Sequence, residues 1–143
     1  MSRVAQLAVA AAVYAIDRPY SYRVPEDMPL TAGMRVLVPF GHGNRRTEGI
    51  VLSVQEGVAA GLKAVEQMLD DASILTGGQL RLAAFMKERY FCTFYDALRT
   101  VLPAAVWYHY RETWSLAQPP LVPTRQEAAV CHLLQDGPLT TDK

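Results

Sequence analysis

Tyr20, Ser21 and Tyr22 stand together between Pro19 and Pro25, two aromatic rings and a hydroxyl on a segment that the prolines stiffen. In an extended backbone the two rings share one face and the serine takes the other. Such rings can stack on a nucleobase, an interaction worth roughly 1–3 kcal/mol per base by alanine substitution. All three side chains meet one ligand only if the segment bends. Gly41 and Gly43 would let backbone amides approach a base or a phosphate closely. Arg45, Arg46 and Lys63 are cations suited to phosphate oxygens. Together these residue types suit a grip on one nucleotide. The structural alternative stands beside it: half-buried sheet tyrosines and a solvated basic hairpin, which pattern alone favours.

Other chemistry finds little support. There is no phosphate loop ending in Gly-Lys-Ser/Thr, and Gly41 and Gly43 lack the third glycine of a dinucleotide fingerprint. No G-x-S-x-G elbow is present. His42, His109 and His132 fall in different predicted elements without ligand-like spacing, and each reads as an ordinary surface or interface residue. Glu26/Asp27 and Asp70/Asp71 lie in turn-like segments and read as solvated loop charges. Cys92 and Cys131 lack paired metal-site spacing and read as reduced structural thiols. No catalytic centre and no cofactor site is expected in this chain.

The elements that must position the tyrosines, glycines and lysine are short and β-rich. Residues 5–16 are apolar except Gln6, with Leu7, Val9 and Val13 on odd positions and Ala8, Ala10 and Ala12 on even ones. That alternation predicts a buried strand; a secretory leader is the lesser alternative, and the run is too short to span a bilayer. Tyr20 to Val24 reads as a brief strand. In Arg35 to Phe40, Val36, Val38 and Phe40 share a face, and Gly41 to Asn44 forms a hairpin connection. Ile50, Leu52 and Val54 share a face of the return strand, and pairing the two faces would bury the first core layer. A loop over 56–62 and a strand over Ala64 to Leu69 follow.

The pattern then turns helical. Thr76 and Gln79 have capping-box spacing for a helix to about Tyr90, with Leu82, Phe85, Met86 and Arg89 near one side. Thr93 offers a cap for a second helix, which must stop before Pro103. Residues 106–114 alternate again, with Val106, Tyr108, Tyr110 and Trp114 on one face of an expected closing strand. The fold class is therefore α+β, a small twisted β-barrel-like sheet with two short helices over residues 1–115. Three prolines among residues 119–123 mark a linker at 116–123, and Thr124 with Glu127 caps a further helix. Residues 124–143 are expected to open a second domain, cut short at the end of the chain.

Composition sets the outer limits. Half of the 143 residues are hydrophobic, which predicts a globular body, and 14 basic against 14 acidic residues leave no net charge. Tracking a long duplex needs a strong cationic field, so that mode is disfavoured, whereas a pocket for one nucleotide or strand end is not. A cytoplasmic protein without membrane contact is expected.

Several stretches, in one order, resemble the amino-terminal domain of the primosomal protein N′ (PriA) family of bacterial replication-restart helicases. They are Arg18 to Pro25, Gly33 to Gly41, Gly49 to Val51, Leu62 to Val65, the helix ending in Arg89-Tyr90-Phe91, and Leu98 to Pro103. The set covers about residues 3–103, and the tail after Pro123 resembles the opening of the winged-helix domain that follows in the family. The resemblance implies recognition of the 3′ end of a nascent leading strand at a stalled fork or D-loop. The family's terminal-nucleotide pocket corresponds to Tyr20, Ser21 and Tyr22, to Gly41, and to Lys63, and Arg45 and Arg46 stay phosphate-contact candidates from the residue pattern. Family partners would be DNA with a 3′ end, other primosome proteins and single-stranded-DNA-binding protein. ATP with magnesium and zinc would belong to a helicase region beyond this chain.

One position departs from the family pattern. Ser21 stands where many relatives have an aspartate, whose carboxylate accepts from a 3′-hydroxyl and repels a 3′-phosphate. Weaker discrimination between those two ends is expected here, unless Asp17 supplies the carboxylate. A protein-interaction module using Trp107, Tyr108 and Tyr110, or a small RNA-binding barrel, are the alternatives.

Overall fold

The computed structural model describes residues 2–107, 112–118 and 121–141. Packing divides the chain into two compact units, Met1–Pro103 and Ala104–Lys143. The first is mixed α/β, with strands β1 (Ser2–Val9), β2 (Tyr20–Arg23), β3 (Arg35–Phe40), β4 (Arg45–Gly57) and β5 (Gln67–Met68), and helices α1 (Gly77–Arg89) and α2 (Phe94–Val101). The five strands form one antiparallel sheet in the order β2-β1-β4-β3-β5. The expected barrel is not completed. The two edges meet through an isolated parallel bridge between Arg23 and Ala64, next to the short β5.

Both faces of this sheet are covered. Ala5, Leu7 and Val9 of β1, Tyr22 of β2, Val36 and Val38 of β3 and Val51 of β4 point into one core, joined by Val24, Leu30, Met34 and Val65. Val51 takes the place expected for Ile50. The register shifts between Gln6 and Leu7, whose partners are Ser53 and Val51, so Leu52 is the extra residue of a bulge. That bulge breaks the two-residue period and turns Ile50, opposite Ala8 and Arg35, to the other face. There α2 rests on β1 and β4 and buries Tyr95, Ala97 and Leu98. The apolar run from residue 5 does not continue as a strand to residue 16. β1 ends at Val9, and Tyr14–Ile16 forms a 3₁₀ turn that leaves Val13 exposed.

The helix starts follow local chemistry. Thr76 and Gln79 make a complete capping box, and the Thr93 hydroxyl accepts from the Asp96 N–H. The apolar stripe of α1 does not behave as expected: Ala83 is buried, while Leu82 and Phe85 are half exposed.

Asp70 is not a solvated loop charge. Its carboxylate accepts from the Arg35 guanidinium at 2.6 Å (Nη2) and 3.0 Å (Nε), and from the Arg35 backbone N–H at 2.8 Å. The Arg35 side chain is 1% exposed and that of Asp70 8%. On the same face Tyr95 donates to Glu48 at 3.0 Å, and burial raises the Glu48 carboxyl above its ordinary range.

In the second unit β6 (Glu112–Trp114) pairs with β7 (Leu139–Thr141), and α3 (Arg125–Leu134) begins at a full Thr124/Glu127 capping box. Glu112–Trp114 therefore does not close the large sheet, and the boundary expected at 115 moves to Pro103 for the compact unit. Tyr108, His109 and Tyr110, and Pro119 and Pro120 of the linker, lie outside the described residues. Among the described residues no helix is long and apolar enough to cross a membrane.

Removing one partner of a buried pair strands the other charge, at a cost of about 3–5 kcal/mol, whereas an exposed pair contributes below about 1 kcal/mol. Asp70→Ala should therefore lower unfolding stability in urea far more than Glu66→Ala, which breaks the exposed Arg46–Glu66 pair. Equal effects would show that the Arg35–Asp70 pair does not pin the fold. A second expectation concerns Tyr22, whose phenol is pushed from the ordinary 10.0 up to about 12, by burial first and by neighbouring Tyr20 second. The folded state disfavours the ionised ring, so this contribution to stability is whole below pH 10 and is lost as pH rises to about 12. Tyr22→Phe should flatten that alkaline loss in unfolding titrations; an unchanged slope would assign it elsewhere.

Candidate nucleic-acid interface

Three pieces of chain bring the predicted residues together at one end of the curled sheet. The first is β2, an edge strand whose partners on β1 are Leu7 for Tyr20, Gln6 for Ser21 and Ala5 for Tyr22. The second is the turn between β3 and β4, where Phe40 pairs with Arg45 across four turn residues. The third is the approach to β5, where Leu62 closes a turn on Ala59 and Gly61 takes a φ of 75°.

The turn is shaped by backbone conformations with positive φ, 71° at Gly41 and 47° at Asn44. A side chain at Gly41 would be strained by that φ, yet it would meet no atom within 4 Å. The backbone of Gly41 thus borders open space. Gly43 has no such conformational requirement.

Lys63 closes the arrangement. Its backbone carbonyl accepts from the Arg23 N–H at 2.9 Å, which ties it to β2, and its ammonium donates to the Gly41 carbonyl at 2.6 Å, which ties it to the turn. An ammonium carries three donors, so others stay available to an incoming oxygen. Residues 22 positions apart are in direct contact.

The tyrosines divide their work. Tyr22 is buried and its hydroxyl donates to the Pro39 carbonyl at 3.1 Å, one residue before Phe40. It forms the floor beneath the turn rather than a surface contact. Tyr20 is half buried, its ring edge-on to Phe40 with centroids 5.0 Å apart, its hydroxyl donating to the Ile16 carbonyl at 2.7 Å. Arg18 lies over the Tyr20 ring at 5.4 Å. Arg18 and Phe40 are site residues the sequence reading did not single out. Arg18 stands two residues before Tyr20, a same-face spacing that could have signalled it.

Ser21 points the other way, as strand alternation requires, and its oxygen accepts from the Gln6 amide at 2.9 Å. The segment does not bend, so the structure does not place the Ser21 side chain with the two rings. Asp17 does not replace the missing carboxylate. It is buried, accepting from Lys87 and from the Phe94 N–H at the start of α2. The arginines of the hairpin also separate. Arg45 is exposed opposite Phe40, whereas Arg46 is paired with Glu66 at 2.8 Å, which offsets its charge.

The arrangement offers an exposed ammonium at Lys63, a bare turn and a fixed aromatic pair, enough to hold a single anionic, aromatic group. A family model described as the PriA 3′ DNA-binding domain (3′BD) matches residues 6–103, ending where the first compact unit ends. The chain is also 30% identical over 128 residues to the replication restart protein PriA of Bacillus subtilis (strain 168), an alignment covering 86% of this chain and 16% of that protein. The chain thus spans about one-sixth of the length of the curated relative it matches. On the family match, which spans more than half of the chain, it belongs to the family of PriA 3′ DNA-binding domains.

Proposed function

We propose that the Met1–Pro103 unit grips the terminal nucleotide at the 3′ end of a DNA strand, and that a larger replication-restart protein uses it to find stalled forks or D-loops. The observation that carries this reading is the contact between Lys63 and Gly41, which joins two of the family's pocket positions beside Tyr20 and Phe40. Lys63 would contact a phosphate or base oxygen, the open backbone at Gly41 would admit the nucleotide, and the Tyr20–Phe40 pair would bear on its base or sugar. Tyr22 supports the turn from below through Pro39.

The electrostatics suit an end better than a track. With no net charge, the chain lacks the field that draws a protein along a duplex, so local contacts must carry affinity. In the larger protein, residues 124–143 would continue as a winged-helix domain, and a helicase region would supply ATP hydrolysis, with magnesium, and zinc binding. Contacts with other primosome proteins and with single-stranded-DNA-binding protein would be made through that whole.

Single strands with a free 3′ end should bind more tightly than strands carrying a bulky 3′ block. Lys63→Ala should weaken binding about tenfold, the effect of losing one charge-assisted contact, and reduce the salt slope by about 1. Fluorescence anisotropy over a salt series measures both, and an unchanged affinity would remove Lys63 from the site. Ser21 has no negative charge and faces Gln6, so strands ending in 3′-hydroxyl and in 3′-phosphate should bind within about threefold of each other. Paired titrations decide this, and a strong hydroxyl preference that survives Ser21→Ala would overturn it.

A further inference from the structure

The residues expected to hold α1 against the core leave a run of rings in water instead. Leu82 and Phe85 are half exposed on α1; beyond its end Tyr90 is exposed and Phe91 is 96% exposed. The Phe91 ring meets exposed Tyr14 at 5.9 Å between centroids, tilted by 45°. A fold gains little from rings left in water, and exposed rings in mutual contact, as Tyr14 and Phe91 are, suit a contact site.

Direct contacts join this patch to the nucleotide site. Tyr14 belongs to the 3₁₀ turn Tyr14–Ile16, and the Ile16 carbonyl accepts from the Tyr20 hydroxyl. Lys87 of α1 donates to the backbone carbonyl and the carboxylate of Asp17, which fixes the helix to the same turn. One short segment, residues 14–20, therefore runs from the Phe91 contact to Tyr20.

Charge selects the occupant. Arg18 lies over Tyr20, and Arg89 lies over Phe85 at 5.2 Å. The Asp17 carboxylate in the connecting turn is buried, with Oδ2 taken by Lys87 and the Phe94 N–H and Oδ1 without a partner among the described residues, and exposed Glu88 lies between Lys87 and Arg89 in the last turn of α1. A guanidinium over exposed Phe85 and another over half-buried Tyr20 put cations beside rings at both ends of this path, which suits an unpaired polyanion whose bases need flat partners.

We propose that Tyr14 and Phe91 form a stacking step for the unpaired nucleotides preceding the last two, so that a single strand passes over Phe91 and Tyr14 and ends at Tyr20, Gly41 and Lys63. This rests on the terminal-nucleotide reading above and extends it along the strand. Because the Phe91 side chain lies almost wholly in solvent, its removal leaves the core intact.

The test uses the 143-residue chain with two 5′-labelled probes, a thymidine dinucleotide and an oligothymidylate of about eight nucleotides. Tyr14→Ala and Phe91→Ala should each weaken the longer probe about tenfold and leave the dinucleotide unchanged, and Phe91→Trp should retain the gain from length. Lys63→Ala should weaken both probes alike. If Phe91→Ala keeps the parent ratio of the two affinities, the stacking step is wrong and the exposed rings serve another partner. If Lys63→Ala changes neither probe while Phe91→Ala erases the gain from length, the terminal pocket fails and the stacking surface stands.

Discussion

The buried pair of Arg35 and Asp70 sets the position of everything near the site, although it touches none of it. Placing an arginine in the first position of β3 would be costly without a partner, and the Asp70 carboxylate meets both its guanidinium and its backbone N–H. From that pin the chain zips backward along β3. Leu69 donates to the Arg35 carbonyl, Met68 pairs with Val36, Gln67 pairs with Leu37 and Glu66 donates to the Leu37 carbonyl. Val65 then leaves β3 for β2, donating to the Arg23 carbonyl while the Lys63 carbonyl accepts from the Arg23 N–H. Lys63 is thereby delivered between the tyrosine strand and the Gly41 turn. Its ammonium has little left to search for.

What was legible in the sequence was local chemistry. The three threonine caps start helices because a side-chain oxygen satisfies an orphan N–H within the same turn, and no distant residue is needed. The strand over Arg35–Phe40 and the turn at Gly41–Asn44 were readable for the same reason, from alternation and left-handed backbone positions. The opposite faces of Ser21 and the tyrosines also followed from strand geometry alone.

What was not legible depended on partners far along the chain. The bulge at Leu52 arises from the register against β1, so the residues that pack with Val36 and Val38 could not be read from β4 itself. Asp70 looked solvated because its partner lies 35 residues away. Asp17 looked available for the same reason, its partners being 70 and 77 residues distant. The apolar positions of α1 implied packing, but the helix packs on α2 with Ala83 buried, and Leu82 and Phe85 stay half exposed. In the pocket, the family resemblance supplied Lys63 and Gly41 as separate positions; their contact is a product of the fold.

The same geometry explains why a neutral chain can hold a nucleic acid. Arg46 is offset by Glu66 at the surface and Lys87 by buried Asp17, so part of the basic charge is already paired within the chain. Lys63 bonds to a neutral carbonyl instead and keeps its full charge, exposed, at the mouth of the turn. An exposed cation attracts over a Debye length of about 8 Å at physiological salt, which spans a nucleotide and not a duplex tract. With its ammonium held by Gly41 and its backbone held by Arg23, that cation adds little ordering cost when a phosphate arrives. Rigid placement of the Lys63 charge is what the fold adds to a chain whose formal charges cancel.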